Sequence, residues 1–187
     1  MDNSVKLRRS LPLAEKAFGA SGVSVTSMGA GYRCSLRVGA DDVAALSQAL
    51  GVDLPQTPKT SARSASRIAM WLGPDEWSIY DSKNNPIDDL KNVDVACAGV
   101  DVSHRNTAIE VSGSLAAGVI NAGCPQDLSL EVFPVGACSR TILGKVEIVL
   151  CRTKADIFHV ECWRSFSPYV FEFLSTAAKE QSALAAR

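Results

Sequence analysis

The middle of the chain, residues 93–128, carries two strand patterns followed by a short helix pattern. Alternating apolar and polar residues predict strands over residues 93–102 and 107–112. The serines and the glycine at 112–114 could cap the next helix, since their small polar groups accept free backbone amides. We expect that helix to end at Gly123, because glycine often ends a helix in the left-handed conformation. This unit predicts how the second half of the chain folds.

A similar order of elements occurs earlier in the chain. A strand over residues 32–38 precedes a predicted helix with Asp41 as its N-cap and Gly51 at its end. In both places a loop and a pair of predicted strands follow. The sequence therefore predicts an α+β fold of two merged strand–helix–strand–strand halves, residues 11–92 and 93–180, with mostly antiparallel sheets. A single irregular sheet without a true repeat is the alternative.

Several segments outside these units also have predicted structures. Residues 1–10 are expected to form a mobile N-terminal arm, and residues 11–187 a single domain. Pro12 could open a short helix that runs through Phe18. Polar, proline-containing segments predict an irregular connection at 52–66 and a surface loop at 81–89. Ser167 could cap the final helix, with Pro168 at its first position.

The composition excludes several classes of function. A formal net charge of -1 over 187 residues does not indicate nucleic-acid binding. No apolar run approaches the ~20 residues that span a membrane, and the N-terminus lacks a secretory pattern, so we expect a cytoplasmic location. The six widely spaced cysteines and two histidines match no metal-site spacing. Four cysteines in apolar strand patterns are expected to be buried thiols: Cys34, Cys97, Cys151 and Cys162.

The candidates for catalysis are few. Asp101, Ser103 and His104 supply the residue types of a hydrolytic triad, but neighbours on an extended segment point to alternating sides. We therefore expect no catalytic residue here. His159 lies within an apolar strand pattern and is predicted to be structural. Gly29 and Gly31 lack the third glycine of a dinucleotide-binding fingerprint.

Four residues are candidates for contact with a partner protein. Trp77 is one of three strand tryptophans that are expected in the core, and an exposed one would become an interface anchor. Arg105 and Arg164 could bind a carboxylate or an acidic group of a partner, and simple solvation at the surface is the more common alternative for such arginines. The predicted interface candidates are Trp77, His104, Arg105 and Arg164.

Five short motifs, taken in order, resemble the gamma subunit family of heterotetrameric sarcosine oxidase. They are WLGPDEW (71–77), DVSHR (101–105), GCPQDL (123–128), FPVG with RT (133–136 and 140–141) and RSF (164–166). The resemblance covers roughly residues 8–180. It implies a fold related to the folate-binding aminomethyltransferases, the glycine-cleavage T-proteins.

The resemblance also implies a function. A gamma subunit would belong, with larger alpha and beta subunits and a small delta subunit, to a complex that oxidises sarcosine to glycine. That complex uses oxygen and tetrahydrofolate and releases hydrogen peroxide and methylenetetrahydrofolate. The FAD, FMN, NAD and tetrahydrofolate sites would lie in the partner subunits, and this chain would bind none of these cofactors. The alternative is a stand-alone folate-binding or one-carbon transfer protein of the same fold.

Overall fold

The computed structural model describes residues 10–91 and 93–187, so the predicted N-terminal arm lies almost entirely outside the described residues. The strands are β1 (Ala17–Ala20), β2 (Val23–Ser27), β3 (Tyr32–Val38), β4 (Ser61–Ser64), β5 (Arg67–Gly73), β6 (Glu76–Asp81), β7 (Cys97–Asp101), β8 (Asn106–Ser112), β9 (Cys138–Leu143), β10 (Val146–Lys154) and β11 (Ile157–Trp163). The helices are α1 (Val43–Leu50), α2 (Pro86–Leu90), α3 (Ala116–Asn121) and α4 (Ser167–Ala185).

The strands form two antiparallel sheets. The six-stranded sheet has the order β1-β2-β8-β11-β10-β9, and the five-stranded sheet has the order β4-β5-β6-β3-β7. A bridge between Thr60 and Ala137 joins the two sheets near their β4 and β9 edges. Among the described residues, no helix is both long and apolar enough to cross a membrane.

The two sheets contain the predicted repeat, with one more strand in each half than expected. In each half a strand, a helix and three strands follow one another, and these strands occupy corresponding positions in the two sheets. The strand that precedes each unit pairs in the sheet of the other half: β2 pairs with β8, and β7 pairs with β3. This confirms the predicted α+β fold of two merged halves. Because the halves exchange a strand, neither sheet is complete without the other half.

Three clusters of buried side chains fill the interior. One packs the six-stranded sheet against α3 and α4, and another packs the five-stranded sheet against α1 and α2. A small third cluster lies between the sheets and includes Cys138 and Cys151. All six cysteines are free thiols, and of the four expected to be buried only Cys97 is half-exposed. Burial raises the pKa of Cys34, Cys138 and Cys162 to about 12, which keeps these thiols protonated and unreactive.

Three local predictions between the elements were wrong. Residues 12–15 form turns that lead into β1, so Pro12 opens no helix. The connection at 52–66 contains β4. This segment has no apolar alternation, and it forms a strand because it pairs with β5. The segment at 81–89 is not a simple loop, because Asp81 is buried at the end of β6 and α2 begins at Pro86.

The predicted helix ends were partly right. α1 ends at a left-handed Gly51 and Pro168 lies in the first turn of α4, as expected, but Asp41 does not cap α1 and Ser167 is the first residue of α4 rather than its cap. α3 spans Ala116–Asn121 without a side-chain cap and ends before Gly123. Gly123 is required for packing instead, because a Cβ there would lie 2.5 Å from Cζ of Phe173.

Gly113, directly after β8, is constrained by both conformation and contact. Its φ is +116°, and a Cβ at this position would lie 2.3 Å from the carbonyl oxygen of Gly22. We expect Gly113→Ala to lower the free energy of unfolding by about 2 kcal/mol or more. Alanine is strained at this φ, and its Cβ would clash with backbone atoms that cannot move without disturbing β2. Urea unfolding would measure this. Gly39→Ala is the matched control, since Gly39 has a negative φ and open space beside it. Equal stability of the two variants would contradict the prediction.

Candidate partner interface

The connection between β7 and β8 crosses from one sheet to the other and displays part of the candidate interface. Ser103 anchors this connection: its backbone amide donates to Oδ1 of Asp101 at 2.8 Å, and its hydroxyl oxygen accepts from the backbone amide of Arg33 at 2.8 Å. His104 and Arg105 follow in an exposed turn. The buried Ser103 hydroxyl therefore has a structural role, and the structure does not support a hydrolytic triad of Asp101, Ser103 and His104.

The end of β11 lies beside this turn. β11 pairs with β8 in a register that places Trp163 opposite Asn106, the residue after Arg105. The backbone amide of Arg164 donates to the carbonyl oxygen of Arg105 at 2.7 Å. The pairing of two strands that are distant in sequence thus brings together Arg105 and Arg164, two of the predicted interface residues.

These residues form an exposed surface that we call the Arg–Trp patch, defined as His104, Arg105, Trp163, Arg164 and Phe166. The guanidinium carbon of Arg105 lies 4.9 Å from the centroid of the Trp163 ring. The Phe166 ring stacks on Trp163 with a centroid separation of 6.0 Å. Trp163 is 42% exposed and Phe166 44% exposed. Large aromatic and arginine side chains that are ordered and exposed are typical of interface anchors.

Trp77 does not belong to this surface. Its side chain is fully buried in the five-stranded half, and its Nε1 donates to the carbonyl oxygen of Pro55 at 2.8 Å. The prediction that Trp77 contributes directly to an interface was therefore wrong. Trp163, which was expected in the core, is the exposed tryptophan instead. Period-two alternation does not reveal which face of a strand is covered, so the sequence could not separate these two residues.

A buried ionic network lies between the sheets, close to the patch. Nε of Arg33 donates to both carboxylate oxygens of Glu161, at 3.0 and 2.8 Å. Nε2 of His159 lies 2.8 Å from Oε1 of Glu161, and its ring contacts Tyr80 with a centroid separation of 4.9 Å. Burial raises the pKa of Glu161, but the Arg33 charge and the His159 hydrogen bond outweigh it, so the net pKa lies below its ordinary value. The prediction that His159 is structural is confirmed.

A second exposed surface, which includes none of the predicted interface residues, lies on the loop between α3 and β9. Three aliphatic side chains of this loop are more than half exposed: Leu130, Val132 and Val135. The loop is held in place by buried Phe133 and by backbone hydrogen bonds of Gly136 to Ser61 and Arg152. It borders a groove of about 540 Å³. The sequence signal for this surface was the presence of several aliphatic residues within a segment of turn-forming residues.

The described residues include side chains of the metal-ligating and acidic types. Among residues 10–91 and 93–187, no group of three or more histidine, cysteine or acidic side chains could hold a metal ion. The buried carboxylates Glu161 and Asp81 are each paired with an arginine, Arg33 and Arg67 respectively. Each of these two carboxylates is thus engaged by a guanidinium group.

Three comparisons with known proteins place the chain. A family model described as the sarcosine oxidase gamma subunit family matches residues 37–180. The sarcosine oxidase subunit gamma of Corynebacterium sp. (strain P-1) is 30% identical over 149 residues, which cover 76% of this chain and 72% of that protein.

Solved structures resemble the chain in fold. A chain of heterotetrameric sarcosine oxidase from Corynebacterium sp. U-96, solved in complex with pyrrole 2-carboxylate, matches with a TM-score of 0.83 and 28% identity. The match covers 95% of this chain and 97% of that chain. Glycine cleavage system aminomethyltransferase T from Bartonella henselae matches with a TM-score of 0.63 and 14% identity over 82% of this chain and 45% of that chain, which shows a shared fold alone. The family model and the curated relative each cover most of the chain, and the chain belongs to the sarcosine oxidase gamma subunit family.

Proposed function

We propose that this chain is a non-catalytic accessory subunit of a heterotetrameric sarcosine oxidase. One observation carries the proposal: the chain matches, along almost its whole length, one chain of a heterotetrameric sarcosine oxidase. The exposed Arg–Trp patch and the exposed aliphatic side chains at 130, 132 and 135 support it, because both are ordered surfaces of the kind that partner proteins cover.

The remaining features of the complex belong to the same proposal. The partners are larger alpha and beta subunits and a small delta subunit. FAD, FMN, NAD and tetrahydrofolate bind to the partner subunits, and this chain holds none of them. With oxygen and tetrahydrofolate, the complex converts sarcosine to glycine, hydrogen peroxide and methylenetetrahydrofolate. The complex acts in the cytoplasm.

Co-expression with the neighbouring open reading frames tests this proposal. We expect an affinity-tagged chain to elute in size-exclusion chromatography with partner subunits, flavin absorbance and sarcosine-dependent release of hydrogen peroxide. Omission of this chain is expected to lower the yield of the complex at least several-fold, while flavin still binds to the partners. A colourless monomer that binds tetrahydrofolate by itself would contradict the proposal. That outcome would favour the stand-alone folate-binding or one-carbon transfer protein.

A further inference from the structure

The geometry of the Arg–Trp patch points to a particular kind of partner. We infer that the patch binds an acidic segment of another subunit, with carboxylates on Arg105 and Arg164 and an apolar side chain against Trp163 and Phe166. This inference rests on the proposed function, since it names the chemistry of a contact within the complex. It goes further by specifying which face of this chain is covered and what covers it.

The positions of the two guanidinium groups support a carboxylate ligand. The guanidinium carbon of Arg105 lies 4.9 Å from the centroid of the Trp163 ring, and Nη2 of Arg164 donates to the carbonyl oxygen of Ser10 at 2.6 Å. Each arginine is thus held by a neutral group and keeps its full positive charge. An arginine held in one geometry loses less entropy when it forms paired hydrogen bonds with a carboxylate. The backbone amide of Arg164 donates to the carbonyl oxygen of Arg105 at 2.7 Å, so the two arginines lie close together. Two neighbouring arginines favour a segment with more than one acidic residue.

Two exposed arginines elsewhere on the chain differ from Arg105 and Arg164, because they already contact carboxylates. Arg37 contacts the carboxylates of Asp75 and Glu76, and Arg140 also contacts Glu76. Exposed Asp101 is the acidic residue on the same connection as Arg105, and one of its oxygens accepts from the backbone amide of Ser103. Among the described residues, no carboxylate forms an ion pair with Arg105 or Arg164, although exposed Glu147 lines the same groove as Arg105, so both guanidinium groups can still take a carboxylate from a partner. The rings of Trp163 and Phe166 add an apolar contact area, which an exposed ion pair alone does not provide.

The charges also argue against two other occupants. The residues before Ser10 include Lys6, Arg8 and Arg9 but only one acidic residue, so this segment does not complement two arginines. A second copy of the chain bound symmetrically would place the same arginines against each other, which costs free energy through repulsion of like charges. An acidic segment of a different subunit satisfies both constraints.

Charge reversal tests the role of the arginines in the intact complex. We expect Arg105→Glu to raise the dissociation constant between this chain and its partner subunits at least tenfold at low salt, because attraction becomes repulsion. For the unmodified chain, raising the salt concentration should weaken binding, and this dependence should be smaller in the variant. Arg63→Glu is the matched control, since Arg63 is an exposed arginine on β4. Equal affinities of the two variants would overturn the inference while leaving the proposed function intact.

Photo-crosslinking identifies the occupant. With benzoylphenylalanine in place of Phe166 and the complex purified by co-expression, we expect a crosslinked peptide from another subunit that contains several Asp or Glu residues. A crosslink to a neutral or basic peptide, to residues 1–9 or to a second copy of this chain would overturn the inference. An intact complex without any crosslink would overturn it too, because the patch would then face solvent. Failure of the complex to form would instead count against the proposed function.

Discussion

Replacing Glu161 with glutamine is expected to lower the free energy of unfolding by about 3–5 kcal/mol, because it leaves the Arg33 charge buried without a counter-ion. The side chains of both residues are at least 95% buried, and Arg33 donates to both oxygens of the carboxylate. Glutamine keeps the shape but removes the charge and one acceptor. Urea unfolding at neutral pH would measure the loss, and thermal unfolding should show a shift of about 2–4 °C for each kcal/mol in a chain of this size.

Two further variants separate the charge effect from a general loss of packing. Glu147→Gln makes the same substitution at an exposed position on neighbouring β10, and we expect a change within about 0.5 kcal/mol. In the double variant Arg33→Met with Glu161→Leu, removal of both charges should restore part of the lost stability. A Glu161→Gln variant as stable as Glu147→Gln would show that the pair contributes little to stability.

The two buried carboxylates, Glu161 and Asp81, predict how stability depends on pH. The net pKa of both Glu161 and Asp81 is lowered in the folded protein: burial raises each value, and ionic and hydrogen-bonding partners outweigh that effect. A lowered folded pKa stabilises the fold above the unfolded pKa, about 4.3 for glutamate and 3.9 for aspartate, and the contribution is lost as the pH falls through the folded value. We expect stability to decline below about pH 4.5, with a shallower decline in Glu161→Gln. Measuring the free energy of unfolding between pH 7 and pH 3 tests this. If the two proteins lost stability equally as the pH falls, the Arg33–Glu161 pair would be unimportant.

The second large effect is expected at Trp77. Trp77→Ala should lower the free energy of unfolding by about 3–5 kcal/mol, because it opens a cavity in the five-stranded half and removes the hydrogen bond to Pro55. Trp77 also lies opposite Leu36 on β3 and Trp71 on β5, so the loss affects both neighbouring strands. Chemical denaturation of the isolated variant measures the effect.

Trp163→Ala is the matched comparison, and it should show the opposite behaviour. The exposed ring is expected to contribute less than about 1 kcal/mol to stability, mainly through its contact with Arg105. Its loss should instead weaken binding to partner subunits. Comparable destabilisation by the two substitutions would contradict the assignment of one tryptophan to the core and the other to the surface.

Local patterns in the sequence predicted much of the secondary structure. The end of α1 at Gly51 and the position of Pro168 in the first turn of α4 follow from residues that restrict backbone geometry locally. By contrast, β4 has no apolar alternation, and it becomes a strand only through its pairing with β5. Edge strands of this kind depend on contacts that a local pattern does not contain.

The arrangement of the Arg–Trp patch could be predicted only in part, for a related reason. Arg105 and Arg164 belong to short polar segments at strand ends, where exposure is expected. Their proximity, and the exposure of Trp163, depend on the pairing of β8 with β11 and on the exchange of β2 and β7 between sheets. Residue pairs far apart in sequence set these features, so no single segment could reveal them.

Native mass spectrometry of the tagged chain, purified after co-expression with the neighbouring open reading frames, tests the central claim most directly. We predict a complex in which one copy of this chain is bound to three different chains. A mass equal to that of the chain alone, or to a multiple of it, would contradict the assignment as an accessory subunit.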